Sequence, residues 1–291
     1  MSLDPQFRDR YGPWALVAGA SDGIGEAFAR RLAQAGINVA LLARRAALLD
    51  ALARELRAEY GVATREVVAD LTADDVLATV RAATDDLEVG LLVYNAGASH
   101  GAAHFLDRTA EAALSMIALN CRGPVLLAHH FGARMRERRR GGMMLLSSLA
   151  AMSGGSHIAV YNATKSFDLV LAEGLWHELK PAGVDAMCLV VGATLTPKML
   201  ASRESFSRYP DIMQPRDVAD EGLAFLGRGP VWVAGEHNRA VVSAMRPGSR
   251  VDAINRLSHA TASIYDLPPV TVEGEDFHPR AGARADCEDT R

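Results

Sequence analysis

Short apolar segments alternate with longer segments of helical periodicity along most of the chain, and this alternation limits the fold more than any other feature. The apolar segments are four to eight residues long, and most lack the polar–apolar alternation of a strand with one solvated face. Such strands, joined by helices, indicate a parallel sheet with helices on both faces and right-handed connections. The predicted strands are Trp14–Ala18, Asn38–Ala43, Arg65–Ala69, Val89–Tyr94, Gly142–Leu146, Val184–Val191 and Val231–Ala234.

The sequence therefore predicts an α/β fold built on a doubly wound parallel sheet of about seven strands. The helical signal continues to about Asp266 without a linker or an internal repeat, so residues 1–267 should form a single domain. Residues 268–291 contain three prolines and many charges and are expected to be a flexible tail. The predicted helices are Ile24–Ala35, Leu48–Tyr60, Ala73–Asp86, Ala110–Arg138 and His157–Lys180.

Composition and charge exclude several classes of protein. The formal net charge of -4 makes nucleic acid an unexpected partner. No apolar stretch approaches the roughly 20 residues that span a bilayer, and the N-terminus lacks a signal-peptide pattern, so a cytoplasmic protein without an integral membrane segment is expected. Cys121, Cys188 and Cys287 have no paired spacing, which fits a reducing compartment and argues against a structural zinc site.

A glycine-rich turn, Gly19-Ala20-Ser21-Asp22-Gly23-Ile24-Gly25, joins the first strand to the first long helix. Glycines allow a tight turn and a close approach to a ligand, and a helix N-terminus offers unpaired N–H groups to a pyrophosphate. The spacing G-x3-G-x-G differs from G-x-G-x-x-G. The turn is interpreted as a dinucleotide-binding loop, with a plain tight turn as the alternative.

The second strand ends at Ala43-Arg44-Arg45, near the place where the adenosine ribose lies in sheets of this type. An arginine there suits a 2′-phosphate and no acidic residue is present to bind a free 2′-hydroxyl, so NADP(H) is preferred over NAD(H). The alternative is that two arginines begin a solvated helix. Asp70, at the end of the third strand, is a candidate for the adenine edge or for the N-cap of a helix beginning near Ala73.

Tyr161 and Lys165 are four residues apart and share one face of a predicted helix. Tyrosine is a poor base at neutral pH, but a fixed cation nearby stabilises tyrosinate, so the pair can exchange a proton with a carbonyl or an alcohol. Ser148 lies thirteen residues earlier, at the end of the fifth strand. Its hydroxyl can donate to a substrate oxygen at the edge of the sheet where ligands bind.

Asn120 lies in an otherwise apolar stretch that begins at Met116. A buried amide needs a partner, because an unsatisfied one costs roughly 1–3 kcal/mol. Two interpretations remain open, a member of the catalytic site and a satisfied residue at a helix kink.

The glycine-rich turn and four polar residues together resemble the pattern of the short-chain dehydrogenase/reductase superfamily, over about Tyr11 to Glu236. The four residues are Asn120, Ser148, Tyr161 and Lys165. Further matching motifs are Asn95-Ala96-Gly97 after the fourth strand and Gly192…Thr194-x-Thr196-Pro197 after the sixth. The resemblance implies a Rossmann-like fold in which hydride passes between a nicotinamide and the substrate carbon. The implied cofactor contacts are Gly19, Ser21, Asp22, Gly23, Ile24, Gly25, Arg44, Asp70, Leu71, Asn95, Ala96, Gly97, Lys165, Thr194 and Thr196.

The resemblance also assigns a role to each polar residue of the site. Tyr161 would give or take the proton, and Ser148 would hold the substrate oxygen. Lys165 would lower the Tyr161 pKa and bind the nicotinamide ribose, and Asn120 would hold a water in a proton relay. Thr196, with the backbone after the sixth strand, would anchor the nicotinamide amide.

Three supporting positions depart from the common pattern of the superfamily. Ala18 stands where threonine usually precedes the first glycine, Tyr94 replaces the first asparagine of Asn-Asn-Ala-Gly, and Val191 replaces the proline that usually precedes Gly192. They affect the loops around the site more than the residues that carry the chemistry.

Two stretches look like one branch of the superfamily, which contains 17β-hydroxysteroid dehydrogenases and very-long-chain 3-oxoacyl-CoA reductases. They are Tyr11–Val17 and Leu87–Val93. That branch implies a bulky, apolar ketone or alcohol as substrate, of steroid or 3-oxoacyl type. The apolar side chains within residues 198–214 are interpreted as a substrate lid, with ordinary packing of a short helix as the alternative.

The two helical stretches Ala110–Arg138 and His157–Lys180 resemble the usual dimer faces of the superfamily, so a homodimer or homotetramer is expected. The alternative function is a cofactor-binding sensor or scaffold that uses this fold without turnover. A non-catalytic binder need not keep all four of Asn120, Ser148, Tyr161 and Lys165, which favours the enzyme.

Overall fold

Seven parallel strands form one sheet in the computed structural model of the chain, which describes residues 6–99, 101–201, 211–245, 250–269 and 271. The strand order is β3-β2-β1-β4-β5-β6-β7, so the predicted doubly wound parallel sheet is confirmed. Four of the predicted strands match the observed bounds at both ends. The strands are β1 Trp14–Ala18, β2 Asn38–Ala43, β3 Thr64–Val68, β4 Val89–Tyr94, β5 Gly141–Ser148, β6 Val184–Val191 and β7 Val231–Val233.

Helices cover both faces of this sheet. The α-helices are α1 Gln6–Tyr11, α2 Gly23–Gln34, α3 Ala46–Tyr60, α4 Val76–Thr84, α5 Ala110–Ile117, α6 Gly123–Arg138, α7 Ala159–Leu179, α8 Pro197–Ala201, α9 Pro215–Phe225, α10 Glu236–Met245 and α11 Arg250–Tyr265.

The core lies in two layers because successive side chains of each strand point to opposite faces. On β1, Ala15 and Val17 pack with α2, α3 and α9, whereas Leu16 and Ala18 pack with α4, α6 and α7. All four of these side chains are fully buried. The continuous apolar character of the strands is thereby explained.

The strand order reverses between β1 and β4. The chain leaves β1 toward β2 and β3 on one side and returns through α4 to β4 on the other. In sheets of this kind ligands bind in the crevice at the carboxyl ends of the strands that flank this point. The glycine loop follows β1 and Asn95 follows β4, so both lie at this crevice.

Two helical predictions are wrong in detail. The helix predicted from Ala73 begins at Val76, with Asp75 as its N-cap. The Asp70 side chain accepts hydrogen bonds from the backbone N–H and hydroxyl of Thr72 at 2.9 and 2.7 Å, so it closes a local turn and does not cap α4.

The long helical stretch from Ala110 to Arg138 is interrupted by a π-helical turn, Ala118–Arg122. A π turn inserts one residue into the helix, and such turns are frequent at functional sites. Asn120 lies in the middle of this turn.

Some predictions concern residues outside the described ranges. Residues 202–210, the greater part of the expected lid, lie outside them, as does all of the expected tail beyond Thr271 and with it Cys287. In the described ranges, no helix is long and apolar enough to cross a membrane.

Candidate active site

The glycine loop packs tightly against the loop that follows β4. Gly19 has a φ of +82°, a conformation that favours glycine, and its carbonyl oxygen accepts a hydrogen bond from Asn95 Nδ2 at 3.0 Å. A Cβ on Gly25 would lie 2.0 Å from the Gly19 carbonyl oxygen, so no side chain can be accommodated there. A hydrogen bond therefore joins two of the predicted cofactor residues, Gly19 and Asn95.

The first turn of α2 faces the crevice without a capping side chain. Asp22 occupies the N-cap, but its side chain accepts no hydrogen bond from the helix. Its carboxylate pairs instead with Arg45. The N–H groups of this turn are those that a phosphate would bind.

A cavity of about 570 Å³ lies over the glycine loop and the ends of β2 and β3. Its lining includes Arg44 and Asp70, the two charged residues for which the sequence predicts contacts with the adenosine half of a dinucleotide. The predicted residues in its lining are Gly19, Ser21, Asp22, Arg44, Asp70, Leu71, Asn95, Ala96 and Gly97.

Two arginines stand at the adenosine end of this cavity. Arg44 is 73% exposed and lies 3.8 Å from the Asp70 carboxylate. Arg45 donates a hydrogen bond to the Ser21 hydroxyl at 2.7 Å as well as pairing with Asp22. Sequence reasoning singled out Arg44 and missed the contact between Arg45 and the loop.

Asp70 is held as a carboxylate at this end of the cavity. The backbone and side-chain hydrogen bonds from Thr72 lower its pKa below the ordinary value, and nearby Arg44 acts in the same direction. The carboxylate and the two guanidinium groups leave this end of the cavity with mixed charge.

A second cavity of about 230 Å³ lies at the ends of β4, β5 and β6. It shares Asn95, Gly97 and Ala98 with the larger cavity, so the two form one groove along the carboxyl edge of the sheet. The predicted residues in its lining are Ile24, Asn95, Gly97, Ser148, Tyr161, Lys165, Thr194 and Thr196.

The lining of this groove fits a nicotinamide dinucleotide. A glycine loop that no side chain could fill and an uncapped helix N-terminus lie near its middle, guanidinium groups lie at one end, and hydroxyls and an ammonium lie at the other. Among the described residues, no group of three or more His, Cys, Asp or Glu side chains could hold a metal ion.

Tyr161 and Lys165 lie on the first two turns of α7, opposite the end of β5. Tyr161 is half-buried and lines the smaller cavity, as does Ser148. The Ser148 hydroxyl oxygen accepts a hydrogen bond from the Ala150 N–H at 3.2 Å, which leaves its proton available for donation into the cavity. The structure therefore brings the three predicted polar groups to one cavity.

Lys165 is buried and its ammonium is anchored from behind. Nζ donates hydrogen bonds to the Leu146 carbonyl oxygen at 2.9 Å and to Asp168 Oδ2 at 3.0 Å. Asp168 carries no family motif, and sequence reasoning missed it.

Burial and charge have opposite effects on the pKa values of Lys165 and Asp168. Burial disfavours the ammonium, but Asp168 and Tyr161 outweigh it and raise the pKa of Lys165 above its ordinary value. Burial raises the pKa of Asp168 to about 6, against the opposing effect of the Lys165 ammonium. Near pH 7 the two groups therefore form a buried ion pair.

Asn120 does not line either part of the groove but lies directly behind it. Its Nδ2 donates to the Ala98 carbonyl oxygen at 3.1 Å and to Thr164 Oγ1 at 3.0 Å, and its Oδ1 accepts from the Ala98 N–H at 3.0 Å. Both amide hydrogens are thus used. The side chain ties the loop after β4 to α7, and the predicted water relay stays a prediction.

Tyr94, one of the departures from the superfamily pattern, supports the π turn. Its hydroxyl donates to the Leu119 carbonyl oxygen at 2.6 Å. A Cβ on Gly123 would lie 2.1 Å from the Tyr94 hydroxyl oxygen, so the glycine makes room for the tyrosine. The Tyr94 side chain is therefore accommodated by Gly123 and bonded to Leu119, on the turn that carries Asn120.

The segment after β6 closes the smaller cavity. Thr194 is buried and its hydroxyl donates to the Gly192 carbonyl oxygen at 3.2 Å, whereas Thr196 Oγ1 accepts from the Met199 N–H at 3.2 Å. A Cβ on Gly23 would lie 3.0 Å from Thr196 Cγ2. Thr196 therefore contacts the glycine loop across the groove.

A third cavity, of about 200 Å³, adjoins the site on the side of α5. It shares Tyr161 with the smaller part of the groove, and apolar side chains such as Phe105, Met116 and Ile158 contribute most of its lining. Arg108, Thr109 and His157 supply further polar groups beside Tyr161.

Fold and site together define a dinucleotide-binding protein of the doubly wound α/β class. The chain matches the short chain dehydrogenase family over residues 13–206. It is 32% identical over 252 residues to a 7beta-hydroxysteroid dehydrogenase of Clostridium sardiniense, which covers 86% of this chain and 96% of the relative. It is 33% identical over 204 residues to a very-long-chain 3-oxoacyl-CoA reductase of Anas platyrhynchos, which covers 68% and 64% of the two chains.

A solved short-chain dehydrogenase from Sphingobium yanoikuyae in complex with NADPH superposes with a TM-score of 0.73 at 32% identity, covering 80% of this chain and 92% of that one. The chain therefore belongs to the short-chain dehydrogenase family. The relatives also confirm the predicted branch, because they include both hydroxysteroid dehydrogenases and 3-oxoacyl-CoA reductases.

Proposed function

We propose that this protein is an NADP(H)-dependent oxidoreductase that interconverts a bulky, apolar ketone and the corresponding secondary alcohol. One observation carries the proposal. Tyr161, Ser148 and Lys165 line a single cavity that continues into the groove over the glycine loop.

The nicotinamide, when bound, supplies or accepts the hydride. In the direction of reduction, the Tyr161 hydroxyl donates its proton to the substrate oxygen while the carbonyl carbon gains the hydride. The Ser148 hydroxyl donates a hydrogen bond to the same oxygen as negative charge develops there. The Lys165 ammonium stabilises the tyrosinate that remains.

The two arginines at the adenosine end support NADP(H) over NAD(H). Arg44 is exposed with its nearest carboxylate 3.8 Å away, a loose pairing that a 2′-phosphate can replace with a charge-assisted contact. Arg45 lies beside the Ser21 hydroxyl and is a second guanidinium at the same place, paired with the Asp22 carboxylate.

The apolar cavity beside Tyr161 supports a bulky substrate. Its position next to the proposed acid–base group allows an apolar substrate body to be buried there while its carbonyl reaches Tyr161. The relatives named above are a 7beta-hydroxysteroid dehydrogenase and a very-long-chain 3-oxoacyl-CoA reductase, and a steroid nucleus and a very long acyl chain are both large apolar groups.

A homodimer or homotetramer joined through α5, α6 and α7 belongs to the same proposal. Five apolar side chains on these helices are exposed by 37–65%. Burial of such side chains between two copies of the chain would stabilise the assembly. They are Leu114, Ile117, Val125, Phe167 and Val170.

The proposal is tested by offering the purified chain NADPH with a panel of oxosteroids, 3-oxoacyl thioesters and small ketones. We expect NADPH to be consumed with the apolar, bulky members, with the secondary alcohol identified by mass spectrometry. NADPH binding without consumption by any ketone would favour a cofactor-binding sensor instead.

A further inference from the structure

Asp168 is a buried carboxylate one turn beyond Lys165 on α7, and the reaction described above does not use it. The residue is 2% exposed. Its Oδ2 accepts the hydrogen bond from Lys165 Nζ, and its Oδ1 has no hydrogen-bond partner among the described residues. A buried ion pair contributes little to stability compared with apolar residues of similar size, so a role in the site is the more informative hypothesis for this carboxylate.

The groups around Asp168 leave Lys165 as its charged partner. Tyr94 on β4, Cys121 on the π turn and Cys188 on β6 also face it electrostatically. Burial raises the pKa of Cys121 to about 11 and that of Cys188 to about 12, and it raises the pKa of Tyr94 well above its ordinary value. All three are therefore neutral near pH 7.

The contacts of Lys165 define where its ammonium points. An ammonium has three N–H donors, and two of them are directed to Asp168 and to the Leu146 carbonyl oxygen. A Cβ on Gly97 would lie only 3.2 Å from Lys165 Nζ, so the ammonium lies next to this glycine. The remaining donor is therefore on the side of the cavity that Gly97 and Tyr161 line.

We propose that Asp168 is a positioning residue that fixes the direction of the Lys165 ammonium and offsets part of its charge, and so sets how strongly that ammonium acts on Tyr161. This inference rests on the proposed acid–base role of Tyr161. The carboxylate is an opposite charge next to the ammonium, so the field that reaches the tyrosine hydroxyl is that of the pair.

Removing the carboxylate charge changes that field in a defined direction. With asparagine at position 168 a carbonyl oxygen still faces Nζ. Loss of the carboxylate lowers the pKa of Lys165, but at every pH where Lys165 stays protonated its charge is no longer offset. The ammonium then stabilises tyrosinate more strongly. Alcohol oxidation, which needs tyrosinate as the base, should reach half its maximal rate at a lower pH.

The experiment measures kcat/KM for alcohol oxidation against pH with NADP+ in the wild type, Asp168→Asn and Asp168→Glu. The midpoint should fall by about one pH unit in Asp168→Asn and stay at the wild-type value in Asp168→Glu, which keeps the charge. An unmoved midpoint in Asp168→Asn, or an equal loss of rate at every pH, overturns the proposal. A lack of ketone reduction by the wild type would instead overturn the proposed function.

A second measurement covers the case in which Asp168→Asn does not fold. Lys165→Met leaves the buried carboxylate without its counter-charge, so adding Asp168→Asn to that variant should raise its Tm. The coupling of the two residues is contradicted if the double variant melts at or below the temperature of Lys165→Met alone.

Discussion

The hydroxyl of Tyr94 lies 2.6 Å from the carbonyl oxygen of Leu119, the residue that precedes Asn120 in the π turn. Tyr94 is 2% exposed, so this hydrogen bond is buried. It links the end of β4, beside the glycine loop, to the turn that carries Asn120. One side chain thus supports two parts of the candidate site.

Tyr94→Phe should lower the free energy of unfolding by about 1–3 kcal/mol, because the Leu119 carbonyl would lose its buried partner. Urea denaturation measures the change. Tyr60→Phe is the matched control, since Tyr60 is only partly buried at the end of α3 and its hydroxyl bonds to the exposed side chain of Glu59, so its loss should change stability little. Equal effects of the two substitutions would show that the Tyr94 hydrogen bond has no special role.

Gly25→Ala should abolish NADPH binding and destabilise the fold. The added Cβ would lie 2.0 Å from the Gly19 carbonyl oxygen, so the loop must shift, at a cost of about 1–3 kcal/mol. Gly174→Ala is the control, because no heavy atom outside its own helix backbone and chain neighbours lies within 4 Å of its Cβ position, and alanine favours the helix. Cofactor affinity from fluorescence titration should remain normal in Gly174→Ala, and normal affinity in Gly25→Ala would contradict the assignment of the loop.

Arg44→Asp should reduce the preference for NADPH over NADH on the order of tenfold, because a charged hydrogen bond to the 2′-phosphate is replaced by repulsion. The ratio of kcat/KM values for the two cofactors is the measurement. Arg54→Asp makes the same charge change on α3, where Arg54 pairs with Asp50, and should leave the ratio unchanged. An unmoved ratio in Arg44→Asp would mean that the end of β2 does not select the cofactor.

Val170→Glu should shift the protein toward the monomer in analytical ultracentrifugation. Val170 is 65% exposed on α7, and a carboxylate buried without a partner at an interface is costly. Leu48→Glu places the same charge at a side chain that is 41% exposed on α3 and should leave the assembly intact. A wild-type protein that is monomeric in solution would contradict the proposed interface.

Much of the sheet could be predicted because the central strands β1, β2, β4 and β6 are mostly apolar and buried on both faces. The bounds of β1, β2, β4 and β6 follow directly from their apolar runs. The start of α4 was wrong because the Asp70–Thr72 turn and a true helix start use the same residue types. The π turn was missed because one inserted residue barely changes an apolar pattern of helical spacing.

The candidate site was predictable where a residue type and its spacing express the chemistry, as for Tyr161, Lys165 and Ser148. Asp168 was not, because an acidic residue three positions after a lysine is typical of a solvated helix face. It is buried because α7 packs against β5 and β6, strands that are separated from Asp168 in the sequence. The contact of Arg45 with Ser21 likewise depends on how two loops meet at the edge of the sheet.

The central claim is that the Tyr161 hydroxyl is the proton donor and acceptor, and Tyr161→Phe tests it most directly. Ketone reduction and NADPH binding should be measured on the same preparation of this variant. We expect kcat/KM for the ketone to fall by about 10²–10⁴-fold, with the Kd for NADPH unchanged. Ketone turnover by Tyr161→Phe at the wild-type rate would contradict the account.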